Sequence, residues 1–144
     1  MRALIVFLLI EDNPADVTLL KIALRESPNI VQLQVAHDGL EGLALLRQQN
    51  ADTEMKSPDL VLLDLNLPEL DGHAVLADIK SDPVLRQTPV VILSSSTDPG
   101  DIQRSYQLGA NAYIRKPDNL EDLFATVKTV VDFWCKWTLL PSRS

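Results

Sequence analysis

The stretch Asp59-Leu60-Val61-Leu62-Leu63-Asp64 decides the fold. Its middle is wholly apolar, and the turn signal Leu65-Asn66-Leu67-Pro68 follows at once. A Val/Leu run of this length without polar alternation reads as a strand buried on both faces, the mark of a parallel sheet. Such a strand offers its last residue to the crevice at the carboxyl edge of the sheet, where open α/β folds bind ligands. Asp64 stands there, and an unpaired carboxylate in that position is costly. The rest of the chain has to supply its partners.

Outward from this strand, strand and helix alternate along the chain. Leu4–Ile10 reads as an apolar strand, and Asn13 caps a helix with Pro14 at its first position and Val17, Leu20 and Leu24 at helical spacing. Val31–Ala36 alternates as a second strand, and Asp38 opens a helix carrying Leu40, Leu43, Ala44 and Leu46. A polar loop over Asn50–Pro58 leads into the Asp64 strand, and a third helix follows from Asp71 to Ser81 with Val75, Leu76 and Ile79. Val90–Leu93 is the fourth strand, ending in the turn Ser94-Ser95-Ser96-Thr97. A fourth helix follows Pro99-Gly100, a fifth strand runs over Ala112–Arg115, and a long final helix spans Asn119 to Trp137. Alternation of this kind implies a parallel sheet covered by helices on both faces, with right-handed crossovers.

At 144 residues the chain is long enough for one domain with a real core and no covalent staples. A hydrophobic content of 46% with 23% charged residues is that of an ordered globular chain. The net charge of −7, with no Lys/Arg cluster, argues against nucleic acid as a direct partner. Cys135 is the only cysteine, so there is no disulfide framework, and it reads as a structural thiol. The apolar run from Ala3 to Ile10 ends in Glu11-Asp12 without a small-residue cleavage site. It is also far shorter than the ~20 residues a membrane span needs. It therefore reads as the first buried strand of a cytoplasmic protein with no membrane partner.

Glu11-Asp12 after the first strand, Asp64 at the end of the third, Ser94 after the fourth and Lys116 after the fifth all share one edge of a parallel sheet. Glu11, Asp12 and Asp64 form an all-oxygen set that suits Mg²⁺ or Mn²⁺ rather than zinc. Lys116 adds a point charge for a phosphate, and Ser94 a hydroxyl donor.

This constellation resembles the receiver domain of two-component response regulators. The resemblance rests on LLIEDNPAD (8–16), DLVLLDLNLPELDG (59–72), PVVILS (89–94) and GANAYIRKP (109–117), in receiver order and spacing. It implies a flavodoxin-like (βα)5 doubly wound sandwich with a five-stranded parallel sheet of order 2-1-3-4-5. The receiver would cover 1–138, with a short tail at 139–144 and no output domain. It further implies that Asp64 is the phosphoacceptor, served by a histidine kinase or a small phosphodonor. Asp12 would ligate Mg²⁺ directly and Glu11 mainly through water, with Asp64 and the Asn66 carbonyl completing the set. Ser94 matches the switch hydroxyl, Lys116 the phosphate-pairing lysine with a cis bond to Pro117, and Tyr113 the aromatic switch that swings inward. A receiver is a phosphoacceptor that promotes its own metal-dependent phosphorylation and dephosphorylation, rather than an enzyme acting on a substrate.

Three positions depart from the commonest receiver pattern: Ser94 for threonine, Ser95 for alanine and Asp118 for phenylalanine. Asn66 and Ser96 stand where receiver side chains influence dephosphorylation. In the final helix Leu120, Leu123, Phe124, Val127, Val131 and Trp134 share one face. Phe133 and Trp137 lie to one side of it, and with Leu139 and Leu140 they exceed what a lone monomer exposes. The ending from Asp132 to Pro141 is similar to that of single-domain regulators partnered with bacterial phytochromes. That similarity implies a phytochrome-type sensor kinase and a homodimer through the fourth helix, fifth strand and fifth helix. His37 and His73 read as surface or loop residues.

Other classes fit less well. An aspartyl-phosphate hydrolase usually needs a second acid two residues after its nucleophile, where Asn66 stands here. A flavodoxin-like cofactor binder needs glycines or hydroxyls in the first turn, and Glu11-Asp12-Asn13-Pro14 is acidic. A degenerate receiver acting as a phosphorylation-independent scaffold would not keep the full set of acids, hydroxyl and lysine.

Overall fold

Four of the five described α-helices begin where a short polar side chain turns back onto the backbone. The structure, a computed structural model, describes residues 5–27, 31–48 and 57–141. The elements are β1 (Ile5–Ile10), α1 (Pro14–Glu26), β2 (Val31–Ala36), α2 (Gly39–Arg47), β3 (Leu60–Leu63), α3 (Gly72–Ser81), β4 (Val90–Ser94), α4 (Pro99–Gln107), β5 (Ala112–Arg115) and α5 (Leu120–Asp132). A short 3₁₀ turn at Leu85–Gln87 precedes β4, and a π-helical turn at Phe133–Trp137 continues α5. Most of the expected loop over Asn50–Pro58 lies outside the described residues, as does Leu4.

The caps account for the helix starts. Asn13 accepts from the N–H groups of Ala15 and Asp16, with Pro14 in the first turn, and Asp38 accepts from Glu41 N. Asp71 accepts from Ala74 N and Asn119 from Asp122 N. Each satisfies a backbone donor the helix cannot pair internally.

The sheet is wholly parallel, in the order β2-β1-β3-β4-β5. Leu8 and Ile10 of β1 face one layer with Leu63, Ile92, Leu43 and Leu46 of α2, and Val75, Leu76 and Ile79 of α3. Phe7 and Leu9 face the other layer with Leu62, Val91, Val17 and Leu20 of α1, and Leu123, Val127 and Val131 of α5. The two-residue period of a strand sends neighbours to opposite faces, which is why the central strands are apolar throughout. No described helix is long and apolar enough to cross a membrane.

Several expectations need correction. Leu40 is 58% exposed and Leu120 65% exposed, so neither belongs to the core. Leu120 opens α5 at the lip of the carboxyl-edge cleft, beyond the sheet it was expected to cover. Ala23 takes the fully buried place in α1, and Leu24 is only half-buried. The final helix is α-helical only to Asp132. Beyond it the backbone widens, with Thr138 N donating to the Phe133 carbonyl at 3.2 Å. The Lys116–Pro117 bond is trans, as are all peptide bonds among the described residues. Trans is the lower-energy form of an X–Pro bond.

Candidate functional site

The ladder hydrogen bonds continue one residue past the strands and thereby fix the backbone of the chemical groups. Glu11 N donates to the Ala36 carbonyl (3.0 Å), Asp64 N to the Ile10 carbonyl (3.1 Å) and Lys116 N to the Ser94 carbonyl (2.8 Å). The register pairs Ile10 with Leu63, so Glu11 and Asp64 are the next residues on adjacent strands. Side chains anchored by sheet backbone are held more closely than side chains on loops.

The turn after β3 is folded tightly onto Asp64. Gly72 N donates to the Leu65 carbonyl at 3.0 Å, and Asn66 N donates to Asp64 Oδ1 at 3.2 Å. A Cβ on Gly72 would lie 2.5 Å from the Asp64 carbonyl oxygen and 2.6 Å from Leu65 Cα. Only glycine permits this approach of backbone to backbone. Glu69 supplies the reversal of the turn with φ of 64°.

Glu11, Asp12 and Asp64 each bring a carboxylate oxygen within 4.8 Å of the others. Glu11 and Asp64 are buried and Asp12 is exposed, so the cluster opens to solvent on one side. It lies in a cleft of about 420 Å³ that Asp16, Asn66, Ser95 and Asp118 also line. The Lys116 ammonium sits among these acids, 2.5 Å from Glu11, 2.9 Å from Asp16 and 3.6 Å from Asp64. A single ammonium faces four carboxylates, counting Asp12, and leaves a surplus of negative charge. That surplus and the all-oxygen donor set fit a hard divalent cation.

The electrostatics show the same imbalance. Burial, reinforced by a hydrogen bond to Asp64, pushes the Glu11 carboxyl up to about 8 against the pull of Lys116. Burial alone would lower the Lys116 ammonium, but its hydrogen bonds to Glu11 and Asp16 outweigh this and raise it. Without a metal, the site therefore keeps a proton near Glu11 at neutral pH while Lys116 stays charged.

Asp16 carries no expected role, yet it lies closer to the Lys116 ammonium (2.9 Å) than Asp64 does (3.6 Å). The usable signal was position: Pro14 starts α1, so Asp16 falls in its first turn beside Glu11-Asp12. Ser94 is fully buried, and its Oγ accepts from Ser96 N at 3.2 Å. Ser95, not Ser94, is the serine lining the cleft. Tyr113 is half-buried and donates its hydroxyl to the Ser96 carbonyl at 2.9 Å. Asp118 is almost fully exposed and pairs loosely with Arg115 at 3.5 Å.

His37 is exposed, but His73 is not a loop residue. It lies half-buried in α3, with Nε2 3.0 Å from Ser105 Oγ and 3.3 Å from the Asp101 carbonyl. The Ser105 hydroxyl already donates to that carbonyl at 2.8 Å. Both neighbours of Nε2 are therefore acceptors, which places the ring proton on Nε2.

Residues 7–128 match the family model of the response regulator receiver domain. The chain belongs to that family. Response regulator Rcp1 of Synechocystis sp. is 42% identical over 95% of this receiver and 93% of its own length. The solved Mn²⁺-bound form of Rcp1 superimposes with a TM-score of 0.89, covering 95% of this receiver and 99% of that chain. The phosphorylated cyanobacterial phytochrome response regulator RcpA is 46% identical, with a TM-score of 0.91 over 97% of this receiver and all of that chain. The similarity reaches other signalling systems too: a probable methanogenesis regulatory protein, FilR2 of Methanothrix harundinacea, is 38% identical over 94% of this receiver and 87% of its own length. Receivers are phosphoacceptor switches that work with histidine kinases and carry the phosphoryl group on an aspartate. The sheet order 2-1-3-4-5 is that of the family fold.

Proposed function

We propose that this receiver accepts a phosphoryl group from a histidine kinase on Asp64 and signals through altered protein–protein contacts. The observation that carries the reading is the strand-end cluster itself: three carboxylates within 4.8 Å of one another, with the Lys116 ammonium 3.6 Å from Asp64. In the transfer, an Asp64 carboxylate oxygen attacks phosphorus and the P–N bond of the phosphohistidine breaks, the imidazole taking the electron pair. Lys116 neutralises charge on the equatorial oxygens. Its contacts with Glu11 and Asp16 hold it within reach of Asp64 beforehand. Ser94 supplies a hydroxyl to a phosphoryl oxygen when it rotates out of its buried contact, and Tyr113 responds to that rotation. The ligand set is Glu11, Asp12, Asp64 and the Asn66 carbonyl. A bound Mg²⁺ or Mn²⁺ there neutralises the acids and the incoming phosphate.

The receiver is read as occupying residues 1–138, followed by a short tail, in a cytoplasmic protein. A phytochrome-type sensor kinase is the proposed donor. The support is the similarity to the phytochrome response regulator RcpA and the aromatic ending of the chain. Phe133 is 50% exposed, Trp137 76% and Leu139 fully exposed, and the residues of β5, the edge strand, are half-buried or exposed. An apolar surface of this kind suits a second copy of the chain docked on α4, β5 and α5.

Intact mass after incubation with a small phosphodonor tests the central reading. One added phosphoryl group that requires both Mg²⁺ and Asp64, and is absent in D64N, is the expected result. No gain in folded, metal-loaded protein would overturn it in favour of a scaffold. Column elution of the modified form, against F133A and W137A, then tests the dimer.

A further inference from the structure

Lys116 enters the cleft from the end of β5 and has carboxylates on two sides. Asp64 stands on one, and Glu11 and Asp16, the latter in the first turn of α1, stand on the other. An ammonium carries three N–H donors. Two of them are occupied: Nζ donates to Glu11 Oε1 at 2.5 Å and to Asp16 Oδ2 at 2.9 Å. Asp64 Oδ2 is 3.6 Å away, beyond hydrogen-bond reach. The lysine is therefore close to the strand-end aspartate without being bonded to it.

Both anchors are fixed by one residue. The Asn13 side chain caps α1 and accepts from Asp16 N at 3.3 Å, while Asn13 N donates to Glu11 Oε2 at 3.4 Å. Asp16 differs from Glu11 in one respect. It stands outside the trio of carboxylates whose oxygens lie within 4.8 Å of one another. Once Glu11, Asp12 and Asp64 turn to a divalent cation, Asp16 is the carboxylate still available to Lys116.

We infer that Asp16 is a positioning residue, which holds the Lys116 ammonium beside Asp64 but off its oxygens. The inference rests on the phosphoacceptor reading above and deepens it. In the transfer an Asp64 oxygen gives the electron pair of the new O–P bond, and the donor's P–N bond breaks with its pair going to nitrogen. An oxygen that accepts a charge-assisted hydrogen bond holds its pair more tightly, and that bond has to break before attack. Lysine is a point charge on a flexible four-carbon stem, so its own covalent structure does not keep it from closing the remaining gap. The Asp16 carboxylate does. Without it the ammonium settles between Glu11 and Asp64, where it covers the nucleophile and competes with a cation for the same oxygens.

A double-mutant cycle on the full chain tests this, with D16N, K116M, D16N/K116M and D16E beside the wild type. Mg²⁺ affinity is measured by calorimetry without phosphodonor, and phosphoryl uptake by intact mass over time with phosphoramidate and saturating Mg²⁺. Asparagine keeps the size of Asp16, but its amide oxygen is too weak to draw the ammonium from a carboxylate. D16N should bind Mg²⁺ about tenfold more weakly and take up the phosphoryl group about tenfold more slowly, the effect typical of losing a group that orients a site residue. D16E restores a carboxylate and should recover most of both. In the K116M background D16N should change neither, because Asp16 acts through the lysine. Equal losses in the two backgrounds would overturn the inference, since a bare charge effect needs no lysine. So would a D16N protein that matches wild type, or a D16E protein that matches D16N. If the wild type gains no phosphoryl mass while the Mg²⁺ cycle behaves as expected, the phosphoacceptor reading fails and the hold of Asp16 on Lys116 is upheld.

Discussion

Replacing Asp64 by asparagine should stabilise the metal-free protein at high pH and leave it nearly unchanged at low pH. Asparagine keeps the Oδ1 acceptor for Asn66 N, so the turn after β3 survives and only the charge is removed. In the wild type, Glu11 ionises near 8 when folded and near 4.5 when unfolded. Between those values the folded state binds more protons than the unfolded one, so this contribution to stability is present at low pH and is lost as pH rises toward 8. One proton corresponds to a slope of about 1.4 kcal/mol per pH unit. Asp64 causes part of the elevation through its hydrogen bond and its charge, while burial of Glu11 remains in the variant.

A like-charge pair at ~4 Å costs on the order of 1 kcal/mol in water and ~4 kcal/mol at an effective dielectric of about 20. The attraction between Asp64 and Lys116 at 3.6 Å offsets part of that repulsion. The net gain for D64N is therefore about 1–2 kcal/mol at pH 8, shrinking toward zero near pH 5. Urea unfolding in a chelator, followed by circular dichroism from pH 5 to 8.5, measures both curves. Subtracting them removes groups common to the two proteins, His37 and His73 included. A difference independent of pH, or one that grows on acidification, would refute a charged cluster at these strand ends.

Three further outcomes follow from the same geometry. Metal binding must displace the proton on Glu11, so Mg²⁺ affinity should fall about tenfold per pH unit below 8, with about one proton released per ion. Calorimetry in buffers of different ionisation enthalpy checks this, and zero release would contradict the raised Glu11. Gly72→Ala pushes a methyl into the Asp64 carbonyl and Leu65 backbone. A loss of about 1–3 kcal/mol in urea is expected, along with slower phosphoryl uptake by mass. Lys116→Met leaves buried Glu11 and Asp64 without their cation. It should cost about 3 kcal/mol or more in chelator, with Mg²⁺ restoring much of it, and an unchanged midpoint would show that the lysine is held there passively.

The apolar runs, the caps Asn13, Asp38 and Asn119, and the alternation of strand and helix were open to reading because each depends on neighbours a few residues apart. Backbone period and capping act at that range, so β1, β3 and β4 and most helix starts follow from local pattern. Even the meeting of Glu11, Asp12, Asp64 and Lys116 was legible, because a parallel sheet sends every strand end to one edge. The tertiary structure decided the rest. Asp16 as a partner of Lys116, the proton held at Glu11, the exposure of Leu120 and the place of His73 against α4 depend on how elements far apart in the chain sit in depth and rotation. So does Ser96, whose four hydrogen bonds reach two strands and a helix. Such contacts involve side-chain atoms separated by up to 105 positions, and only packing of the layers sets their distances.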